Sequence, residues 1–350
     1  TNVSLGKGAL ASITTGDYNT GIGNSAMGNL TTGLRNIALG NGALEFPDTE
    51  NDNLAIGYDA LGGSIAGGEK NVAIGNYSLD ANTSGDGNVA IGYGSLSNNT
   101  TGSSNFASGY NSLQSNTTGY NNIASGSQSL MSNTTGTDNT GLGANVLRSN
   151  TTGEDNTAVG AFALLSNTTG DNNVALGYNA GQTGTNNLST GNNNVLLGAS
   201  TATSKVDADN QIVIGKGATG AGDNTVQLGN TSITNVKTSG TITAGAVTYP
   251  KTDGSANQVL KTDGSGNLGW TTVSATPSGA IMMFAASSAP SGWLICDGSA
   301  VSRSTYSDLF SVIGTTYGSG DGSSTFNLPD FGGKGPMGYK SGNSKFDALN

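Results

Sequence analysis

The sequence predicts a mainly β chain: a repeat β-solenoid shaft, wound as a parallel β-roll in which several copies associate, followed by a small α+β module. Three observations carry this. A pattern of seventeen residues recurs through the first half of the chain. The composition shifts near residue 249, beyond which lie five of the six Pro residues and both Trp residues. Only 10% of the 350 residues are charged, whereas Gly accounts for 57 of them. Disordered chains of low hydrophobicity are usually rich in charge and Pro, and the first 249 residues are poor in both, so periodicity has to explain the composition.

The repeat begins on an Asn, at positions 2, 19, 36, 53, 71, 88, 105, 122, 139, 156 and 173, with every interval 17 residues except one of 18. A β-branched or apolar residue follows, then a small one (Ala38, Ala73, Ala107, Gly141), usually an aliphatic one, and then Gly. Strand residues alternate between faces, so the second and fourth positions share one face, and the small third position shares the other with the Gly. A second apolar row of Leu or Met runs through 10, 27, 44, 61, 79, 96, 113, 130, 147 and 164, and Thr-Thr-Gly segments such as 100–102 and 117–119 supply corners. Seventeen residues suffice for one coil with two short strands and two corners. Coils stacked edge to edge at about 4.8 Å give roughly 50 Å for eleven of them. Asn at one coil position predicts an amide ladder up the stack. Each coil offers about three apolar side chains, a thin core for a lone rod, so further chains are expected to cover the rest.

Segments such as Asn71-Val72-Ala73-Ile74-Gly75 and Asn88-Val89-Ala90-Ile91-Gly92 resemble the head repeats of trimeric autotransporter adhesins, which are parallel β-rolls in homotrimers. The usual repeat there is shorter, and the Asn-Thr-Thr-Gly extension is more similar to repeats of viral and bacterial fibre proteins. That resemblance, over about residues 1–198, implies a homotrimer. From about residue 178 the rhythm loosens: Asn194 comes 21 residues after Asn173, Gln211 stands where Asn is due, and Asn224-Thr225-Val226-Gln227-Leu228-Gly229 has one residue too many. These read as capping coils closing a shaft over 1–230.

Residues 231–276 read as a β connector, in which Lys-Thr-Asp-Gly at 251–254 and 261–264 flanks Gln258-Val259-Leu260 and points to two short strands joined by Gly turns. From 277 to 350 a compact module is expected. Ala280-Ile281-Met282-Met283-Phe284 reads as a buried strand, and Pro290 to Gly298 as a turn, strand and turn. Thr305 to Ile313 reads as a short helix, with Thr305 and Asp308 placed as a capping box and Tyr306, Leu309, Phe310 and Ile313 forming its apolar stripe. Gly292-Trp293-Leu294-Ile295-Cys296-Asp297-Gly298, then Tyr306, Leu309-Phe310, Ile313-Gly314, Tyr317-Gly318, Gly320-Asp321-Gly322 and Phe326-Asn327-Leu328-Pro329-Asp330, resemble the phage tail collar domain. The resemblance implies a trimeric tail fibre with this module near the shaft's end, where in that family it often precedes a receptor-binding tip.

Composition excludes much chemistry. Without His there is no Ser-His-Asp triad and no imidazole ligand, and the single Cys296 cannot form an internal disulfide. A net charge of -10, with 13 scattered basic residues, argues against nucleic-acid binding, and no apolar run is long enough for a membrane-spanning helix. Asn-Thr-Thr sites and the Asp-Gly pairs at 263–264, 297–298 and 321–322 read as turns in preference to glycosylation or Ca²⁺ sites, and Gly-x-Gly matches lack a βαβ setting. Cys296 reads as a buried structural thiol, and Glu154-Asp155 as a coil corner rather than a glycosidase pair. Tyr58, Tyr93, Tyr110 and Tyr178 share one coil position and form a candidate contact stripe for sugar rings. The expected protein is a virion tail fibre, extracellular and non-enzymatic, without cofactor or metal. Its expected partners are further copies of itself, other tail or fibre proteins and a host cell-surface glycan or protein receptor. The alternatives are a bacterial trimeric surface adhesin and a polysaccharide-degrading spike.

Overall fold

The computed structural model describes residues 1–63, 68–233, 235–237, 239, 242–244, 247–250, 253–272 and 276–333. The chain divides into two units, Thr1–Val236 and Lys237–Asn350.

The first unit is a parallel β-solenoid. Fourteen three-residue strands, β1 (Val3–Leu5) to β14 (Val226–Leu228), pair in chain order in one sheet. The register is that of the repeat: Val89 faces Phe106, Ala90 faces Ala107 and Ile91 faces Ser108. Each coil holds one strand, not the two expected. The reason lies in the Leu row, where Leu96, Leu113 and Leu130 sit at φ of 52°, 50° and 50°, a left-handed conformation that cannot continue a strand and costs a non-Gly residue about 1–2 kcal/mol. Full burial of each Leu, worth about 1.5–3 kcal/mol, offsets that cost. Stacking continues without a second strand because Leu96 N–H still donates to Ser112 O and Leu113 N–H to Ser129 O, each at 3.0 Å.

The small third position points inward: Ala38, Ala73, Ala90, Ala107 and Ala124 are fully buried and join the Leu row in one continuous core. The second and fourth positions point outward, leaving Ile37, Ile91, Phe106, Ile123 and Leu142 exposed. Interior volume is conserved between coils. Where the third residue is Gly141, Val146 replaces the usual Ala or Ser of its row, and a methyl on Gly141 would lie 3.0 Å from Val146 Cγ1. The Gly that closes each strand has two reasons to be Gly. Gly109 has φ +145°, and a Cβ there would stand 2.5 Å from Gly126 O.

Two amide ladders run through the core. In the expected one, from Asn2 to Asn194, Asn122 is typical: its N–H and Nδ2 donate to Asn105 Oδ1 at 3.0 and 3.1 Å, and Nδ2 also donates to Gly136 O at 2.8 Å. Its own Oδ1 accepts from N–H and Nδ2 of Asn139, both at 3.1 Å. Each coil thus supplies an acceptor to the coil that follows it in the chain. The second ladder is built from the Asn of Asn-Thr-Thr-Gly. Asn99, Asn116, Asn133, Asn150 and Asn167 each donate to Oδ1 of the preceding one, starting from Asn82, at 2.8–2.9 Å. All are fully buried, so the sequence's corner residues are core residues whose polar groups are met by neighbouring coils. The second ladder stops where Leu188 replaces Asn, and Asn167 Oδ1 has no partner among the described residues.

The sheet passes through the irregular coils without a break. Gln211 keeps the ladder's backbone bond to Asn194 Oδ1, at 3.0 Å. Thr225 then takes the Asn place, since Val226 pairs with Ile212, and Asn224 occupies the left-handed position before it at φ 59°. The surplus residue of the Asn224–Gly229 segment is therefore a corner residue.

In the second unit, β15 (Ile242–Ala244) pairs antiparallel with β16 (Val247–Tyr249), and β17 (Gln258–Thr262) with β18 (Leu268–Thr272). The Asp263 carboxylate accepts from Ser265 N–H and from Asn267 N–H and Nδ2, which closes the second hairpin. Further on, β19 (Ala300–Ser302) pairs antiparallel with β20 (Thr325–Asn327), and α1 (Ser307–Ile313) lies between them in sequence. Three expectations are corrected here. Ala280–Phe284 is neither strand nor buried: Ile281, Met282, Met283 and Phe284 are all exposed. Trp293–Gly298 forms no strand, and among the described residues its backbone pairs through a bridge between Asp297 and Asp330. The helix starts one residue late for a Thr305 cap. Tyr306 precedes it without a side-chain cap bond, Thr305 N–H turns back to Ser302 Oγ at 3.3 Å, and the stripe of Leu309, Phe310 and Ile313 is only half-buried.

Candidate functional site

On the solenoid, the residue after each closing Gly sits at a corner whose side chain the core does not need, and this frees it for other work. Tyr58, Tyr93, Tyr110 and Tyr178 are all exposed there. The structure joins the first three through a residue the sequence reading missed, Tyr77. Tyr58 and Tyr77 meet edge to face at 5.4 Å, Tyr77 and Tyr93 likewise at 5.7 Å, and Tyr93 and Tyr110 stack at 5.6 Å with planes 14° apart. Tyr77 lies one residue later in its coil, after Gly75-Asn76, so a search of one coil position passes over it. Tyr178 is apart from these and packs edge to face on Phe162 at 5.9 Å. The Asp59 charge, with a smaller contribution from Tyr77, holds the Tyr58 hydroxyl above its ordinary pKa, so it stays a neutral hydrogen-bond donor. Chemically the ladder offers a strip of ring edges and hydroxyls across four coils, suited to amphipathic ligands. Ring-to-ring packing, worth about 0.5–1.5 kcal/mol per pair, accounts for part of it.

Glu154 and Asp155 lie exposed at a corner. Glu154 N–H donates to Asp171 Oδ1 at 2.8 Å, and Asp155 takes the left-handed position at φ 55°, so both serve the turn. The Asn of the Asn-Thr-Thr sites at 99, 116, 133, 150 and 167 is sealed in the second ladder.

In the second unit, the spaced motif residues meet through pairing of their backbones. Phe331 N–H donates to Cys296 O at 2.9 Å, Gly298 N–H to Pro329 O at 3.1 Å and Leu328 N–H to Ser299 O at 3.0 Å. Asn327 locks two turns, donating to Gly298 O at 2.9 Å and accepting from Gly320 N–H at 2.8 Å. Phe326 is buried against Phe310, with ring centroids 5.1 Å apart, and Arg303 lies 4.7 Å over the Phe310 ring while donating to Thr325 O. Gly292 turns the chain at φ +85° so that Trp293 lines a cleft of about 780 Å³ with Leu294, Cys296, Leu309, Ile313 and Tyr317. Cys296 is half-buried rather than buried. Burial, and then the Asp297 charge, push its thiol up, which disfavours a reactive thiolate.

The Asp-Gly carboxylates are occupied by their own turns. Asp297 accepts from Ser299 N–H at 3.0 Å. Asp321 accepts from Ser324 Oγ and from the N–H groups of Ser323, Ser324 and Thr325, which hold its carboxyl far below the usual carboxylate range. A depressed folded pKa stabilises the fold above the ordinary carboxylate pKa of 3.8, and that stability is lost as pH falls below it. Acid titration is therefore expected to loosen the Asp321–Thr325 turn below about pH 4, and Asp321→Asn is expected to flatten the response. Hydrogen exchange of the β19–β20 segment reads both, and an acid response unchanged by the substitution would contradict the assignment.

No curated protein and no solved structure matches the chain. Residues 279–336 match the family model described as Phage Tail Collar Domain, so this chain carries, after a fourteen-stranded parallel β-solenoid, a phage tail collar domain whose motif residues are joined by the Asp297–Asp330 bridge and the β19–β20 pairing beside it.

Proposed function

We propose that this chain is a homotrimeric structural fibre of a bacteriophage tail, a rigid non-enzymatic spacer that supports recognition of the host surface. The observation that carries the reading is the collar domain following a long parallel solenoid in the same chain. The outward row of the sheet supports association: Ile37, Ile91, Phe106, Ile123 and Leu142 form an exposed apolar face that a lone soluble rod rarely leaves in water, and parallel copies about one axis cover it. The number three comes from the likeness of the repeats to trimeric adhesin heads.

In such a fibre each copy presents the Tyr58–Tyr77–Tyr93–Tyr110 ladder, so weak contacts with a host cell-surface glycan or protein receptor are repeated and avidity multiplies them. Other tail or fibre proteins hold its ends, and its place is the extracellular part of the virion. Light scattering of the full chain is expected to give three times the chain mass, and a stable monomer would overturn the reading. Gold-labelled antibody against the chain is expected on virion tails. Label on a bacterial surface instead would favour the trimeric adhesin.

A further inference from the structure

The described residues of the second unit hold little core. Among its described residues, Phe326 and Leu328 are the buried hydrophobic side chains, with Pro329 beside them. Two or three such residues do not offset the ordering of a segment this long. The shortage has two complementary parts. One is the cleft of about 780 Å³, whose apolar lining of Trp293, Leu294, Leu309 and Ile313 is only half-buried. The other is the segment Ile281-Met282-Met283-Phe284. Met283 is 95% exposed, Met282 64% and Phe284 62%, and among the described residues their backbone N–H and C=O groups find no backbone partner.

The segment starts at the cleft and leaves it. Gly279, at φ +87°, lies against α1, where a Cβ would stand 2.8 Å from Val312 Cγ1, and Ala280 and Ile281 line the cleft, whereas Met282, Met283 and Phe284 do not. We infer that Met282–Phe284 of one copy fill the Trp293–Leu309–Ile313 cleft of the next, so that the collar core is completed only between copies of this chain. A second copy is the occupant because it supplies both missing halves at once. It fills the cleft and covers the segment, whereas a different partner would have to offer a matching groove and a matching wedge together. Such a contact is heterologous, head to tail, and closes into a ring when the copies share a rotation axis. Unpaired backbone carrying apolar side chains is also available for pairing with another chain, and flexible Met side chains suit a cleft of irregular lining. The inference rests on the oligomeric reading above and adds to it the residues that lock one copy to the next.

The test uses Met283→Cys in the full chain, whose native Cys296 lines the cleft, treated with a short bis-maleimide. The expected result is covalent multimers on a denaturing gel, lost when Cys296→Ser is added. A link confined within one chain, or no link in a particle that light scattering reports as an oligomer, would overturn the exchange and leave the oligomer standing. A monomer by light scattering would overturn both. Native protein gives an independent readout should the variant misfold. Met282 and Met283 are expected to resist oxidation by dilute peroxide at least tenfold relative to the acid-unfolded chain, and oxidation at the unfolded rate would refute the burial.

Discussion

Gly109→Ala is expected to open the solenoid around its seventh strand, at a cost above about 4 kcal/mol, in the range reserved for severe backbone and packing conflicts. Two costs coincide there. At φ +145° an L side chain is strained whatever room it has, and the new methyl would stand 2.5 Å from Gly126 O and 2.6 Å from its carbonyl carbon. These are backbone atoms of the next coil and cannot rotate away. Relief requires the coils to part, which breaks the bond from Gly126 N–H to Ser108 O, now 2.7 Å. Because each coil touches mainly its neighbours, the damage stays local. Exchange protection is expected to fall in the coils around 105–139 and to persist near 174–197. Gly87→Ala is the control, since Gly87 also has positive φ, at 63°, but a Cβ there meets nothing within 4 Å. Equal losses in the two variants would show that conformation, not the closeness of the coils, decides the effect.

Asn122→Ala is expected to cost about 2–5 kcal/mol, because it orphans the N–H of Asn139 and one Nδ2 hydrogen of the same residue, each a buried donor worth about 1–3 kcal/mol when unmet. Asn122→Asp separates the two halves of the amide's work. The carboxylate still accepts from Asn139 but can no longer donate to Gly136 O, now 2.8 Å from Nδ2, and it places a charge in a buried row. Burial raises the folded pKa of that Asp, so its destabilisation is fully present above the folded value and is relieved as pH falls towards about 3.9. Denaturant midpoints for the two variants between pH 4 and pH 8 check this. The Ala variant is expected to give a flat deficit and the Asp variant one that grows with pH, and parallel curves would refute the ladder's donor role.

The sequence carried the solenoid because its period is set by stacking: Asn122 must sit over Asn105 and Ala107 over Ala90, so identity recurs at fixed intervals. It hid the conformation of the Leu row, since Leu113 at φ 50° uses a backbone state for which Leu has no preference, and only burial beneath neighbouring coils holds it there. It also hid the second amide ladder. Asn116-Thr117-Thr118-Gly119 has the residues of a turn, and nothing local reveals that its first amide points inward. Tyr77 escaped because aromatic contact ignores a one-residue offset that strict coil numbering does not. The misreading of Ile281–Phe284 has another origin. An apolar run within one chain reads as core, but what buries it need not belong to that chain.

The amide ladder also gives the stack a direction. Every rung from Asn19 to Gln211 places the acceptor in the earlier coil and the needy backbone donor in the later one. The Leu row points the other way, since Leu96 N–H of the earlier coil donates to Ser112 O of the later one, so each end of a stack lacks a partner for one set of buried groups. A coil can therefore be added at either end, and each step closes a loop of about one repeat. The two ends of such a stack are thus chemically unlike: the first coil lacks an acceptor for its ladder N–H, and the last lacks one for its Leu-row N–H.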